Sequence, residues 1–101
     1  MTENIREKLE REVGPADWKV IRPHFLRGAV IVVSPDLDLI DVAKSVAEDD
    51  AVSVEAWINS GKLTRPAPED AKEWEESGRE LNAIVLDPFV LLQEIRPETI
   101  N

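Results

Sequence analysis

Glycine and proline cut this chain so often that no helix or strand in it can run long. Gly14-Pro15, Gly28, Pro35, Gly61, Pro66, Pro68, Gly78 and Pro88 fall between apolar patterns, and Pro23 falls inside one. Proline has no amide hydrogen and clashes with a continuing helix, while glycine takes the left-handed conformation that closes one. A fold of short helices and short strands follows. With 101 residues there is material for one hydrophobic core and little room for a deep enclosed site.

The segments between these breaks read as follows. Thr2 caps a helix over 2–13 whose Ile5, Leu9 and Val13 form a narrow apolar stripe. Such a helix lies on the core by one edge or pairs with a partner. Asp17 caps a second stretch with Trp18, Ile21 and Phe25 at helical spacing, which Pro23 is expected to split into two short turns before Gly28. Ala29 to Val33 is a β-branched run suited to a buried strand. After the turn at Ser34-Pro35-Asp36, Asp38 is placed as an N-cap, with Leu37 and Val42 at the spacing of a hydrophobic staple. Leu39, Val42, Ala43, Val46 and Ala47 then make one apolar face. A break at Glu48-Asp49-Asp50 leads to a helix with Val54, Trp57 and Ile58 inward, stopped by Ser60-Gly61.

Leu63 to Arg65 is a short strand, and Pro68 opens a helix to Ser77-Gly78 whose apolar anchors are Ala71 and Trp74. Leu81–Leu86 and Phe89–Ile95 form either a tight hairpin or one strand broken by a bulge at Asp87-Pro88. The whole is a single α+β domain over 1–101. It has a small mixed or antiparallel sheet of three to four strands and four to five helices, two of them in a helix-turn-helix-like pair.

Composition then removes classes of function. The chain has no cysteine, so disulfides, thiolate clusters and thiol nucleophiles are excluded, and its one histidine, His24, excludes multi-histidine metal sites. The formal charge of −9 repels phosphate polymers and anionic membranes and favours basic or neutral partners. That charge is polarised. Residues 1–28 hold five acids and six bases, leaving 16 acids and six bases for the rest. With no leader-like or membrane-spanning apolar run, a cytoplasmic protein is expected.

Candidate residues follow from the same reading. Asp36, Asp38, Asp41, Glu48, Asp49 and Asp50 cluster, but the spacing lacks the glycine and terminal glutamate of a calcium loop, and capping accounts for them; no metal and no cofactor is expected. Catalysis by His24 requires a hydrogen-bonded partner and a pocket, and Asp49 or Asp50 is the candidate partner. Trp18 and Trp74, on short or charge-rich helices, are candidates for a partner surface or for closing the edge of a small core.

Asp41 to Leu63 resembles the helix-turn-helix of excisionase and other winged regulators through Val54, Trp57-Ile58 and Gly61-Lys62-Leu63. It departs from them in carrying Asp49, Asp50 and Glu55 where a DNA-reading helix presents bases. Trp18, Pro23-His24-Phe25 with Arg27-Gly28, Leu37-Asp38-Leu39, Ala47-Glu48-Asp49-Asp50, Trp57 with Gly61, Pro88-Phe89-Val90-Leu91 and Gln93-Glu94 recur together in another group. On these residues the whole chain resembles the small bacterial proteins grouped as domain of unknown function 2288. The resemblance implies a complete bacterial protein and makes His24, Arg27, Asp49 and Asp50 surface candidates, without an activity.

The leading expectation is a non-enzymatic protein-interaction module with a protein partner or a second copy, with Trp18, His24, Arg27, Asp49, Asp50 and Trp74 as partner-binding candidates. A divergent winged-helix regulator gathering Arg22, Arg27, Lys62 and Arg65 on one face is the second, and an enzyme using His24 with Asp49 or Asp50 the third.

Overall fold

The computed structural model describes residues 4–78, 80–86 and 88–94. Along them run α1 (Ile5–Glu12), β1 (Gly14–Ala16), α2 (Trp18–Leu26), β2 (Val30–Val33), α3 (Leu39–Ala47), α4 (Ala51–Asn59), β3 (Leu63–Thr64), α5 (Pro68–Ser77), β4 (Leu81–Leu86) and β5 (Phe89–Glu94). The five strands form one mixed sheet in the order β1-β4-β5-β2-β3, in which only β2 and β5 run parallel. Leu86 pairs with Phe89, so β4 and β5 make a hairpin rather than a bulged strand; Asp87 and Ile95 lie outside the described residues.

Alternation along the central strands gives the sheet two apolar faces. Ile31, Val33, Ile84 and Leu91 point to one face and pack under α1, α3 and α4 with Leu9, Leu39, Val42, Ala43 and Leu63. Val30, Val32, Ala83, Val90 and Leu92 point to the other and pack under α2 and α5 with Trp18, Ile21, Phe25 and Trp74. Both faces are covered, which is why β2 and β5 are almost continuously apolar.

Several elements differ from the sequence expectation for physical reasons. Asn4, whose side chain accepts from the Glu7 amide, caps α1, and Thr2 lies outside the described residues. The narrow stripe of α1 packs on its own domain. Leu9 is buried, a contribution of about 1.5–3 kcal/mol, and the Arg6 guanidinium donates to both Asp38 and Asp41 at the start of α3.

Gly14-Pro15 is more than a stop, because with Ala16 it forms the edge strand β1, where a proline costs no ladder bond on the open side. Pro23 does not split α2, which continues through it, and its ring is exposed. Asp17 occupies the N-cap of α2 without a side-chain cap bond.

Helix ends follow the glycines. Gly28 and Gly61, at φ 72° and 78°, sit just past the caps of α2 and α4, and the amides of Ala29 and Lys62 reach back to the carbonyls of His24 and Trp57. The same closure ends α3, where the Asp50 amide reaches the Ser45 carbonyl, but here the left-handed position holds Asp49 at φ 56°. An L-residue there is strained by roughly 1 kcal/mol relative to glycine. Asp49→Gly is therefore expected to raise the urea midpoint at unchanged slope, a stabilisation of up to about 1 kcal/mol; a lowered midpoint would show that the Asp49 side chain supplies more than strain.

Candidate functional site

The break that carries Asp49 also lines an apolar opening. Ile31, Leu63, Phe89 and Leu91 of the sheet, Val46 of α3 and Val54 and Ile58 of α4 wall a cleft of about 540 Å³. Asp49, Asp50 and Arg65 are its charged lining residues, with Ser45 and Thr64 as further polar lining. Ligand-binding clefts have this size and this make-up of an apolar wall with a few polar groups.

The cleft exists because α4 is lifted off the sheet. None of its residues is buried: Val54 and Trp57 only partly reach the core, and Ile58, expected inward, is 55% exposed, as is Val52 at 81%. Ala47, expected on the apolar face of α3, is exposed too. Phe89, at the start of β5, extends the apolar floor to the mouth at 38% exposure. Asp50 accepts from the Ser53 amide as the α4 N-cap, and the Ser53 hydroxyl and amide hold its carboxyl below the ordinary value. It keeps a negative charge on the lip at all but strongly acidic pH.

The other acids of the cluster serve the fold. Asp38 caps α3 through the Ile40 amide; burial works to raise its pKa, but that bond and Arg6 outweigh it and leave the carboxyl lowered. Glu48 pairs with Lys44. Asp36 accepts from Lys62 and from the Ser34 hydroxyl, which brings its carboxyl from the ordinary 3.8 to about 2. Because the folded value is lowered, this contribution to stability is present above pH 3.8 and is lost as pH falls through about 2. Lys62→Met is expected to move the Asp36 midpoint back up toward 3.8 in a carbon-detected NMR titration, and an unmoved midpoint would contradict the pairing.

The remaining sequence candidates fall elsewhere. Trp18 and Trp74 are both buried, 5.5 Å apart with Phe25 against Trp18, and belong to the core beneath α2 and α5. His24 is half-buried on α2 and lines a second opening of about 490 Å³ with Val20, Val85 and Val90. Its Nδ1 lies 2.6 Å from Nη2 of Arg27; a guanidinium only donates, so Nδ1 accepts and the ring proton sits on Nε2.

The sheet separates α2 from the α3–α4 break, so His24 and Asp49 or Asp50 cannot share a cleft. Arg22, Arg27, Lys62 and Arg65 do not gather either. The first two ride on or cap α2, Lys62 is held by Asp36, and Arg65 is at the opposite cleft. Nor does a wing follow α4: β3 pairs back onto β2, the strand that precedes the helix pair.

Asp49 and Asp50 stand out in the sequence as part of an acidic cluster, whereas the apolar wall beside them does not. Ile31, Leu63, Phe89 and Leu91 come from three strands that only the sheet pairing brings together. Exposed Ile58 was visible only as a core residue.

The family model described as protein of unknown function (DUF2288) matches residues 4–94. The NMR solution structure of PA1075 from Pseudomonas aeruginosa is similar to this chain with a TM-score of 0.81 and 34% identity, over 100% of this chain and 94% of that one. No curated protein matches the chain. No helix among the described residues is long and apolar enough to cross a membrane.

Proposed function

Since the chain belongs to the DUF2288 family, whose description carries no activity, we propose from its geometry that it is a non-enzymatic binding module and that the cleft under α4 takes an apolar, basic-flanked segment of a protein partner. The observation that carries this reading is the apolar cleft itself, walled by Val54, Ile58, Phe89 and Leu91 and lipped by Asp49 and Asp50. Exposing Ile58 and Phe89 forgoes hydrophobic stabilisation at about 25 cal/mol per Å². A partner that covers them recovers it. Asp49 and Asp50 against the one guanidinium of Arg65 leave the cleft lining net acidic, which selects basic flanking residues, and the formal charge of −9 steers basic segments toward the molecule.

The test is an amide-shift titration of the labelled protein with a short helical peptide of leucines flanked by lysines. Shifts centred on Val46, Asp49, Val54, Thr64 and Phe89, lost in Ile58→Lys and absent with glutamates in place of the lysines, are expected. Equal binding of the two peptides, or shifts outside the cleft, would overturn the reading.

A further inference from the structure

The molecule carries, on its opposite side, a segment with the chemistry the cleft selects. Among the five helices of the described residues, α2 is the one with a clear excess of positive charge: Lys19 and Arg22 lie within it with no acid, and its two caps are Asp17 and Arg27. Its inner side, Trp18, Ile21 and Phe25, packs on the sheet. Its outer side is also apolar. Val20, Pro23 and Leu26 recur every third residue, and Val20 and Leu26 are 63% and 69% exposed. A helix apolar on both sides is normally covered on both.

We propose that the outer ridge of α2 docks into the α4 cleft of a second copy of this chain, with Lys19, Arg22 and Arg27 facing the lip of Asp49 and Asp50. The proposal rests on the cleft reading above and names its occupant. Local charge complementarity selects the second copy over the long-range repulsion of two chains of charge −9: Asp49 and Asp50 outnumber Arg65 at the cleft, and Lys19, Arg22 and Arg27 outnumber Asp17 on α2 and its caps, beside exposed apolar residues. The sheet lies between α2 and the cleft, so a chain cannot fill its own cleft. The two surfaces are different, so the contact is head-to-tail and builds open chains or closed rings rather than a twofold pair.

Such an assembly has a decisive mixing test. Val20→Glu with Leu26→Glu spoils the ridge and leaves the cleft, whereas Ile58→Lys spoils the cleft and leaves the ridge; all three positions are exposed, so the fold tolerates them. In sedimentation velocity the wild-type mass is expected to rise with concentration above 11.4 kDa, each variant alone to stay at that mass, and their equimolar mixture to form a species of twice it. If circular dichroism shows that the glutamates disturb α2, Val20→Gln with Leu26→Gln takes their place.

A wild type that stays monomeric up to its solubility limit, variants that associate as the wild type does, or a mixture that stays monomeric would each overturn the head-to-tail contact. A monomeric wild type whose cleft still binds the leucine-lysine peptide would overturn this contact alone, whereas loss of peptide binding as well would overturn the cleft reading.

Discussion

Trp74→Ala is expected to lose about 3–5 kcal/mol of folding free energy, a large share of the 5–15 kcal/mol a domain of this size holds. Trp74 is 2% exposed, the most deeply buried large ring of the chain. It stacks at a tilt on Trp18, and its Nε1 donates to Glu94 Oε1 at 3.1 Å. The ring therefore ties α5 to both α2 and the last strand.

Alanine leaves a cavity under a helix that has Ala71 as its other apolar contact with that core. Trp74→Phe keeps a ring and gives up the hydrogen bond, so about 1–2 kcal/mol is expected. Urea unfolding followed by circular dichroism measures both. A loss below about 1 kcal/mol for Trp74→Ala would show that α5 is not held by this residue.

Gln93→Leu should cost about 2–3 kcal/mol although it replaces a polar side chain by an apolar one. The Gln93 amide nitrogen donates to the carbonyls of Ser34 at 2.9 Å and Leu37 at 2.8 Å, and so pins the turn before α3 to β5. Ser34 O also accepts from the Leu37 amide, but no other backbone donor reaches Leu37 O within that turn. Leucine would strand a part-buried carbonyl and loosen the start of α3, against which α1 packs through Arg6. The expected result is a lower urea midpoint with faster amide exchange at Leu37 to Asp41. An unchanged midpoint would mean that water replaces the glutamine at no cost.

Gln93 and Glu94, among the residues that carry the family resemblance, both have a place in the architecture. Gln93-Glu94 read in the sequence as a bare motif, and in the fold Gln93 holds the α3 turn while Glu94 receives the Trp74 indole. Trp18, Gly61 and Asp38 are likewise parts of the architecture: a buried ring, a left-handed helix end and a cap. Motif residues at the two openings are Asp49, Asp50, Phe89 and Leu91 at the cleft and His24 and Val90 at the opposite side.

What was legible in the sequence was local. The Asp38 cap, the staple of Leu37 and Val42, the stops at Gly28, Gly61 and Gly78 and the strand at Val30 each depend on residues within a few positions. What was not legible depends on distant ones. Gly14-Pro15-Ala16 has no strand pattern and is extended because it pairs with β4. Trp74 sits among charges along the chain, yet folding brings it against Trp18.

Val54, Trp57 and Ile58 have the spacing of a core face, but α4 meets the sheet only at its edge, so that face is shared between core and cleft. The charge of −9 could be read at once; that two of its acids stand on the lip of an apolar opening could not.

The reading of the cleft as a protein-docking site is tested most directly by a photo-crosslinking residue placed at Ile58 in the native cells, beside a control at the exposed Glu75 of α5. Discrete adducts are expected from position 58 that are absent from position 75, with the crosslinked segment, read by mass spectrometry, apolar and flanked by lysine or arginine. Adducts equal at the two positions, or a position 58 that captures no protein, would contradict it.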